Sequence, residues 1–411
     1  MTTTTAELPA DATSRANRAG LYFAFLQLVF TLGWTTYLIY LPKLAAQVGI
    51  VPGVVILVLM LDQAIFTITD TAMGIAADRI ASLVGRLGVF VGALTALSCA
   101  AFAALPFVAG AGAKIPLIAL IAIWAITSSA LRAPPLILLG KYCATPRLPF
   151  LAALVMLGYG LAGAVSPYLG VVLRDVDPRL PFVISSVVLL LTTLGLSRVE
   201  RDVARTTSPK KPPKPARPFG TVPVLFVVAM ILLSLGYQLH FSINSAPFYL
   251  RFARPTDLQW LMPVFWIGFN VALFPASVVV KHRGALIVMG AAGLLGAVAV
   301  LVAETAGSLN TLVVAQFVAG AAWGCMLMSA VSAALAIGHT GAEGKVTGLV
   351  FSALALATFA RMAAVAGGLQ KLPEYAPLLQ WAPIACWSVA GCGLLVIAAA
   401  RVQQRMQVRR A

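Results

Sequence analysis

Twelve separate runs of apolar residues, each long enough to cross a bilayer as a helix, divide this chain of 411 residues. They fall at about 20–44, 51–76, 87–108, 115–139, 149–173, 180–197, 221–250, 258–280, 285–303, 309–337, 346–368 and 377–400. A hydrocarbon layer about 30 Å thick is spanned by roughly 20 helical residues, and within it every backbone N–H and C=O must find a partner in the chain. The pattern predicts an all-α membrane protein with twelve transmembrane helices. Only 10% of the residues are charged and 60% are hydrophobic, whereas a soluble domain is about a quarter charged. The opening MTTTTAELPADATSRANR is polar, and the run that follows it continues from Leu21 for about 25 residues, so no cleavable secretory signal is expected.

The net charge of +16 raises the question of a nucleic-acid partner, and the positions of the basic residues answer it. With the N-terminus inside, the cytoplasmic segments hold 20 of the 29 Lys and Arg residues and the external loops hold 7, while Arg132 and Arg361 lie within spans. Lys and Arg retained on the cytoplasmic side orient membrane helices. The basic charge therefore records topology, with both termini cytoplasmic and no nucleic-acid partner. The five cysteines, Cys99, Cys143, Cys325, Cys386 and Cys392, lack metal-ligand spacing and are expected to remain unpaired. Cys143 is placed in a cytoplasmic loop.

The sharpest change of composition is RVERDVARTTSPKKPPKPARPFG, rich in Pro and basic residues and without an apolar period. It reads as a solvated linker and divides the spans six and six. The expected organisation is a tail over 1–19, a six-helix bundle over 20–197, a linker over 198–219, a second bundle over 220–400 and a tail over 401–411.

Six plus six spans around a long basic loop resembles the layout of the major facilitator superfamily. The loop after the second span sharpens the likeness: GIAADRIASLVGR is similar to that family's Gly-x-x-x-Asp-Arg pattern followed by a glycine and a basic pair. Gly74, Asp78 and Arg79 match in spacing, while Gly85 and Arg86 arrive a few residues late. After span eight the repeat keeps only VVVKHRG. The resemblance implies two pseudo-symmetric bundles moving by alternating access, with spans three, six, nine and twelve on the lipid side. It also implies that Gly74, Asp78, Arg79 and Arg86 form a cytoplasmic gate. Gly74 lets two helices approach closely, and Asp78 either caps a neighbouring helix or pairs with a basic residue; a solvated turn is the plainer alternative.

Ionisable residues inside a bilayer cost at least roughly 2.5–3.5 kcal/mol each and mark pathways or relays. Here they are Asp62 and Asp70 in span two, Arg132 in span four, His240 in span seven and Arg361 in span eleven. Asp62 lies near mid-membrane and Asp70 about 12 Å deeper, at nearly the depth of Arg132. Arg361 falls nearer the depth of Asp62. Asp62 and Asp70 are the candidates for proton coupling. Arg132 and Arg361 are their charge partners or anchors for an anion, with Asp62–Arg361 expected to link the two halves. A static Asp70–Arg132 ion pair is the structural alternative.

DTAMGIAADR also resembles the Asp-Pro-x-x-Gly-x-x-x-Asp-Arg segment of the glycoside–pentoside–hexuronide cation symporters, the melibiose permease family. That likeness sets Asp70 at the acid that binds the coupling cation, with Thr71 replacing the proline, and sets Arg132 of SSALRAPP where an acid stands. An arginine there disfavours a sodium site, so H⁺ is the expected coupling ion rather than Na⁺. Span one offers Gln27 where the family has sugar-binding carboxylates, which argues against a sugar. Span five, GYGLAGAVSPYLG, resembles the superfamily's antiporter motif through Gly163, Pro167 and Gly170, with Ser166 in place of a glycine.

A site for a small polar solute needs aromatic platforms and convergent hydrogen-bonding groups. Trp34, Tyr37, Trp124, Ser129, His240, Asn244, Trp266 and Asn270 are the candidates for a cavity, whereas Tyr40, Tyr249 and Trp260 suit the membrane interfaces. With three histidines and no metal cluster, phosphate-cradling loop or nucleophile–base motif, the chain is not expected to be an enzyme or to hold a cofactor. The expectation is a monomeric, multi-pass protein of the plasma membrane, a bacterial inner membrane, whose partners are the lipid bilayer and a small-molecule substrate. It would work as a proton-coupled symporter. The alternatives are a proton antiporter exporting a drug-like or metabolic compound, and a non-transporting receptor or sensor with the same fold.

Overall fold

The computed structural model describes residues 10–81, 86–142, 145–204, 220–338 and 341–410. Gly85, Cys143 and residues 205–219 of the basic linker lie outside them. Twelve long apolar helices follow in order: α1 (Thr13–Gln47), α2 (Pro52–Ile80), α3 (Arg86–Gly110), α4 (Lys114–Gly140), α5 (Leu148–Val172), α6 (Arg179–Asp202), α7 (Thr221–Leu250), α8 (Pro255–Arg283), α9 (Ala285–Glu304), α10 (Leu309–Ile337), α11 (Glu343–Ala366) and α12 (Pro373–Arg401). Among the described residues there is no strand. The outward side chains are apolar as well: Ile68, Val172, Leu191, Val314 and Val396 are exposed. This surface suits lipid and would be a liability in water.

The helices extend past the apolar runs. The first begins at Ala10, inside the expected tail, and Arg147 donates to the Asn17 side chain there at 3.3 Å. Residues 198–204, expected in the linker, are helical within Leu196–Ala204. Glu200 secures that segment by accepting the Gly88 N–H at 2.8 Å. The last helix runs on to Arg410. A helix needs a breaker to stop it, and neither Gly nor Pro occurs over residues 401–410. By contrast α8 ends sharply at Gly284, whose φ of 90° only glycine adopts readily.

Two spans are broken where proline removes a backbone donor. In α4 the helix tightens to a 3₁₀ turn over Ser129–Leu131, just before the Pro134-Pro135 pair, and Arg132 sits at this break. In α7 a π-turn covers His240–Asn244, and the Ser245 hydroxyl donates to the His240 carbonyl at 3.0 Å. The widened turn answers Pro247, which leaves the carbonyl one turn earlier without its usual donor.

The first six and last six spans meet along two crossings, α2 with α11 and α5 with α8. Glycines make both possible. At the first, a Cβ on Gly74 would meet the Gly344 carbonyl, and one on Gly344 would meet the carbonyl of Gly74. At the second, Gly163 receives the Trp266 indole and Gly160 receives Phe269. Residues of α1, α2, α4, α5, α7, α8, α10 and α11 enclose a central cavity, and among the described residues none of α3, α6, α9 or α12 lines it. This division of spans is the one that the superfamily resemblance implies.

Candidate functional site

The cavity between the two halves has a volume of about 450 Å³. Its wall is partly aromatic, through Phe30, Trp34, Tyr159, Phe241, Trp266 and Phe351. Hydrogen-bonding groups come from Gln27, Thr31, Thr35 and Gln63 on one side and from Gln238, Ser242 and Thr358 on the other. Among the described residues two charged ones line it, Arg132 and Arg361, and no acid does. Tyr159 of α5 and Tyr237 of α7 line it from the two halves.

Each charge within the spans has a distinct environment. Asp70 is fully buried and accepts a 2.8 Å bond from Arg132 Nη1. The break in α4 brings Arg132 to this depth, and its guanidinium also lies 3.9 Å over the Phe66 ring. Ion pair and ring contact together compensate an otherwise unfavourable buried charge. Asp62 is fully buried too, but its partner is not the expected Arg361. Tyr37 donates to Asp62 Oδ2 at 2.7 Å, and Oδ1 has no partner among the described residues. Arg361 instead donates from Nε to Gln238 Oε1 at 3.0 Å. The linkage of the halves by Asp62 and Arg361 is thus not formed. α2 presents Asp62 toward α1, and α11 presents Arg361 toward α7.

Of the eight residues expected in the cavity, Trp34 and Trp266 line it. The other six face elsewhere. Tyr37 is buried on Asp62, and Trp124 stacks behind Trp34 at 5.4 Å between ring centroids. Ser129 meets Thr69 at 2.7 Å. His240 meets Gln316 at 3.0 Å, and Asn244 donates to the Leu379 carbonyl at 3.0 Å. Asn270 turns back to the Trp266 carbonyl at 2.8 Å. A buried polar side chain takes the nearest partner in its own bundle, and all but Trp124, which packs on neighbouring rings, have a hydrogen-bond partner there. Tyr159, Thr31, Thr35, Gln63 and Thr358 were not anticipated. Tyr159 stands between two glycines in an apolar run and gives no polar signal beyond its own hydroxyl.

At the end of the molecule where α2 ends and α11 begins, Asp78 accepts the Gly344 and Lys345 N–H groups at 2.7 and 2.8 Å. It thereby caps α11 from the opposite half, where the helix dipole favours an anion. Thr71 and Ser352 meet at 2.7 Å one layer further in. Arg79 and Arg86 are exposed at the same end. α2 and α11 thus meet at this end through Gly74 and Asp78, which stand where the motif has them, and through Gly344 and Lys345 of α11.

The profile of the Major Facilitator Superfamily matches residues 23–362. No curated protein sequence matches the chain. Solved structures do, at low identity. A bacterial homologue of the iron transporter ferroportin, in an outward-facing state, superposes with a TM-score of 0.71 at 14% identity, over 93% of this chain and 99% of that one. The Escherichia coli fucose:proton symporter FucP gives 0.68 at 12%, over 93% and 99%. The human organic anion transporter MFSD10 gives 0.64 at 16%, over 93% and 98%. At such identities the likeness is one of fold.

Proposed function

Because this chain belongs to the major facilitator superfamily, we propose that it carries a small polar solute across the membrane by alternating access, in symport with a proton. It is a multi-pass membrane protein of a transporter family, not an enzyme. The charge bias of its loops supports a plasma-membrane setting, a bacterial inner membrane, with both termini in the cytoplasm.

The observation that carries the coupling is Asp62. Its carboxyl group is fully buried and held by one tyrosine hydroxyl, and among the described residues no cation pairs with it. Asp70 in the same helix is ion-paired. A buried acid without a counter-charge exchanges a proton between two environments more readily than one locked to an arginine. Gln63, its neighbour in sequence, lines the cavity, so occupancy there can act on Asp62 through one residue. One relative in fold is a fucose:proton symporter, and proton symport is the coupling assigned here. Asp78 and the glycines of α2 and α11 would open the cytoplasmic end in the other half of the cycle.

A second reading, export by proton exchange, is favoured by the antiporter-like segment of α5, because Ser166 and Pro167 lie in the cavity wall. Purified protein in liposomes loaded with a pH-sensitive dye separates the two. With substrate added outside at equal pH, a symporter acidifies the lumen and an antiporter alkalinises it. If no solute moves protons either way, and none is accumulated by an imposed pH gradient, coupled transport is refuted and a receptor or sensor role is left.

A further inference from the structure

We infer that the central cavity takes its solute as an organic anion: an amphiphilic carboxylate whose head group docks on the free edge of Arg361. Its physiological meaning rests on the transport reading above, and its test is a binding measurement that fails or succeeds separately.

Charge balance comes first. The two charged residues in the cavity wall are arginines. Asp70 compensates Arg132. Asp62, the other buried acid of α2, turns toward Tyr37. Arg361 therefore has no carboxylate within ion-pair distance among the described residues, although it lies in a span where an isolated charge is costly. An anion entering the cavity would supply the missing charge, and a cation would meet an opposing one.

The geometry around Arg361 selects the kind of anion. Gln238 is held by its Nε2 donating to Thr358 at 2.8 Å and by Ser242 donating to its Oε1 at 3.3 Å. The same Oε1 takes Arg361 Nε at 3.0 Å. The guanidinium is thus pinned through Nε, while Nη1 and Nη2 have no partner among the described residues and stand at a cavity wall. Two parallel N–H donors in one plane match the two oxygens of a carboxylate, a pairing that a lysine could not reproduce.

Size and lining define the rest of the ligand. About 450 Å³ is far more than an inorganic anion fills, and falls within the range of pockets for small organic molecules. Phe30, Trp34, Phe241, Trp266 and Phe351 would stay wet against a compact anion. They suit an aromatic or branched hydrocarbon body.

The test uses the full chain in detergent and the fluorescence of Trp34 and Trp266. Three isosteric probes are titrated at neutral pH: 3-phenylpropanoate, 3-phenylpropanamide and 3-phenylpropylamine. The anion is expected to bind at least about tenfold more tightly than the amide, and the amine not to saturate. Arg361→Gln should bring the anion to the amide's level, while Arg361→Lys keeps part of the preference. The inference is overturned if the amide or amine binds as tightly as the anion, if none of the three saturates, or if a folded Arg361→Gln protein keeps the preference. The wild-type series alone decides the first two outcomes, so a variant that does not fold leaves the test intact. Should the anion bind but move no protons in liposomes, the transport reading fails and this one stands.

Discussion

The Tyr37 hydroxyl donates a 2.7 Å hydrogen bond to Asp62 Oδ2, and this pair of buried groups lies behind the cavity wall rather than in it. Trp34 separates them from the open space, with Trp124 stacked on its far side. Asp62 is fully buried, so the acid is shielded from bulk water. That is the arrangement a coupling residue needs if it is not to leak protons without solute.

Asp62→Asn keeps an acceptor for Tyr37 and removes the charge. The variant should abolish gradient-driven accumulation, leave solute exchange at equal pH largely intact, and melt no lower than the wild type. Tyr37→Phe leaves a buried carboxylate oxygen without its donor, at about 1–3 kcal/mol, and should lower the melting temperature. Liposome flux and thermal melting check both. A marked loss of stability in Asp62→Asn would make Asp62 a structural acid and remove it from coupling.

Asp70→Asn should behave differently, because it leaves the half-buried Arg132 without its counter-charge. Breaking a buried pair from one side costs about 3–5 kcal/mol. Both accumulation and exchange should fall with the melting temperature. The double variant Asp70→Asn with Arg132→Gln should recover part of the stability. If the single variant melts like the wild type and loses only accumulation, Asp70 rather than Asp62 carries the proton.

The contact between α2 and α11 predicts a change of conformational balance. Asp78→Asn replaces one of the two accepting oxygens by an NH2 group, so one backbone N–H loses its acceptor and the other bond loses its charge; charge-assisted bonds of this kind are worth about 1.5–3 kcal/mol each. Gly74→Leu places a side chain against the Gly344 carbonyl. Each should favour the state in which this end is open. A cysteine introduced by Ser352→Cys, one layer inside the contact, should then react with a maleimide at least about tenfold faster. Unchanged labelling would mean that this contact does not close the cavity.

A charge count predicts the energetics of transport. With Asp62 ionised and Arg361 free, these two groups sum to zero. With Asp62 protonated and a carboxylate on Arg361, they again sum to zero. One proton carried with one monoanion therefore leaves the net charge of these groups unchanged, and uptake should follow the pH gradient while ignoring an imposed potassium diffusion potential. A neutral solute carried with one proton would move charge, and a response to the potential would then be seen. Aromatic or branched carboxylates that bind to the cavity and cross bare lipid slowly are the suitable solutes for this measurement.

Hydropathy is a property of each stretch taken alone, and the bilayer demands a minimum length. The twelve spans, the all-helical fold and the set of charges inside them could therefore be read along the chain. Depth follows from counting residues at a constant rise, which is why Asp70 and Arg132 could be matched before any coordinates. Gly74 and Asp78 belong to a local motif and were found as one. Rotation about each helix axis could not be read in this way. In a soluble protein an apolar stripe marks the inward face. Here lipid and core are equally apolar, so Tyr37, Trp124, Ser129, His240, Asn244 and Asn270 gave no sign of which way they turn. Their direction, the choice of Tyr37 over Arg361 by Asp62, and the place of Tyr159 in the cavity were settled by packing against neighbouring helices, which brings together groups far apart in the chain.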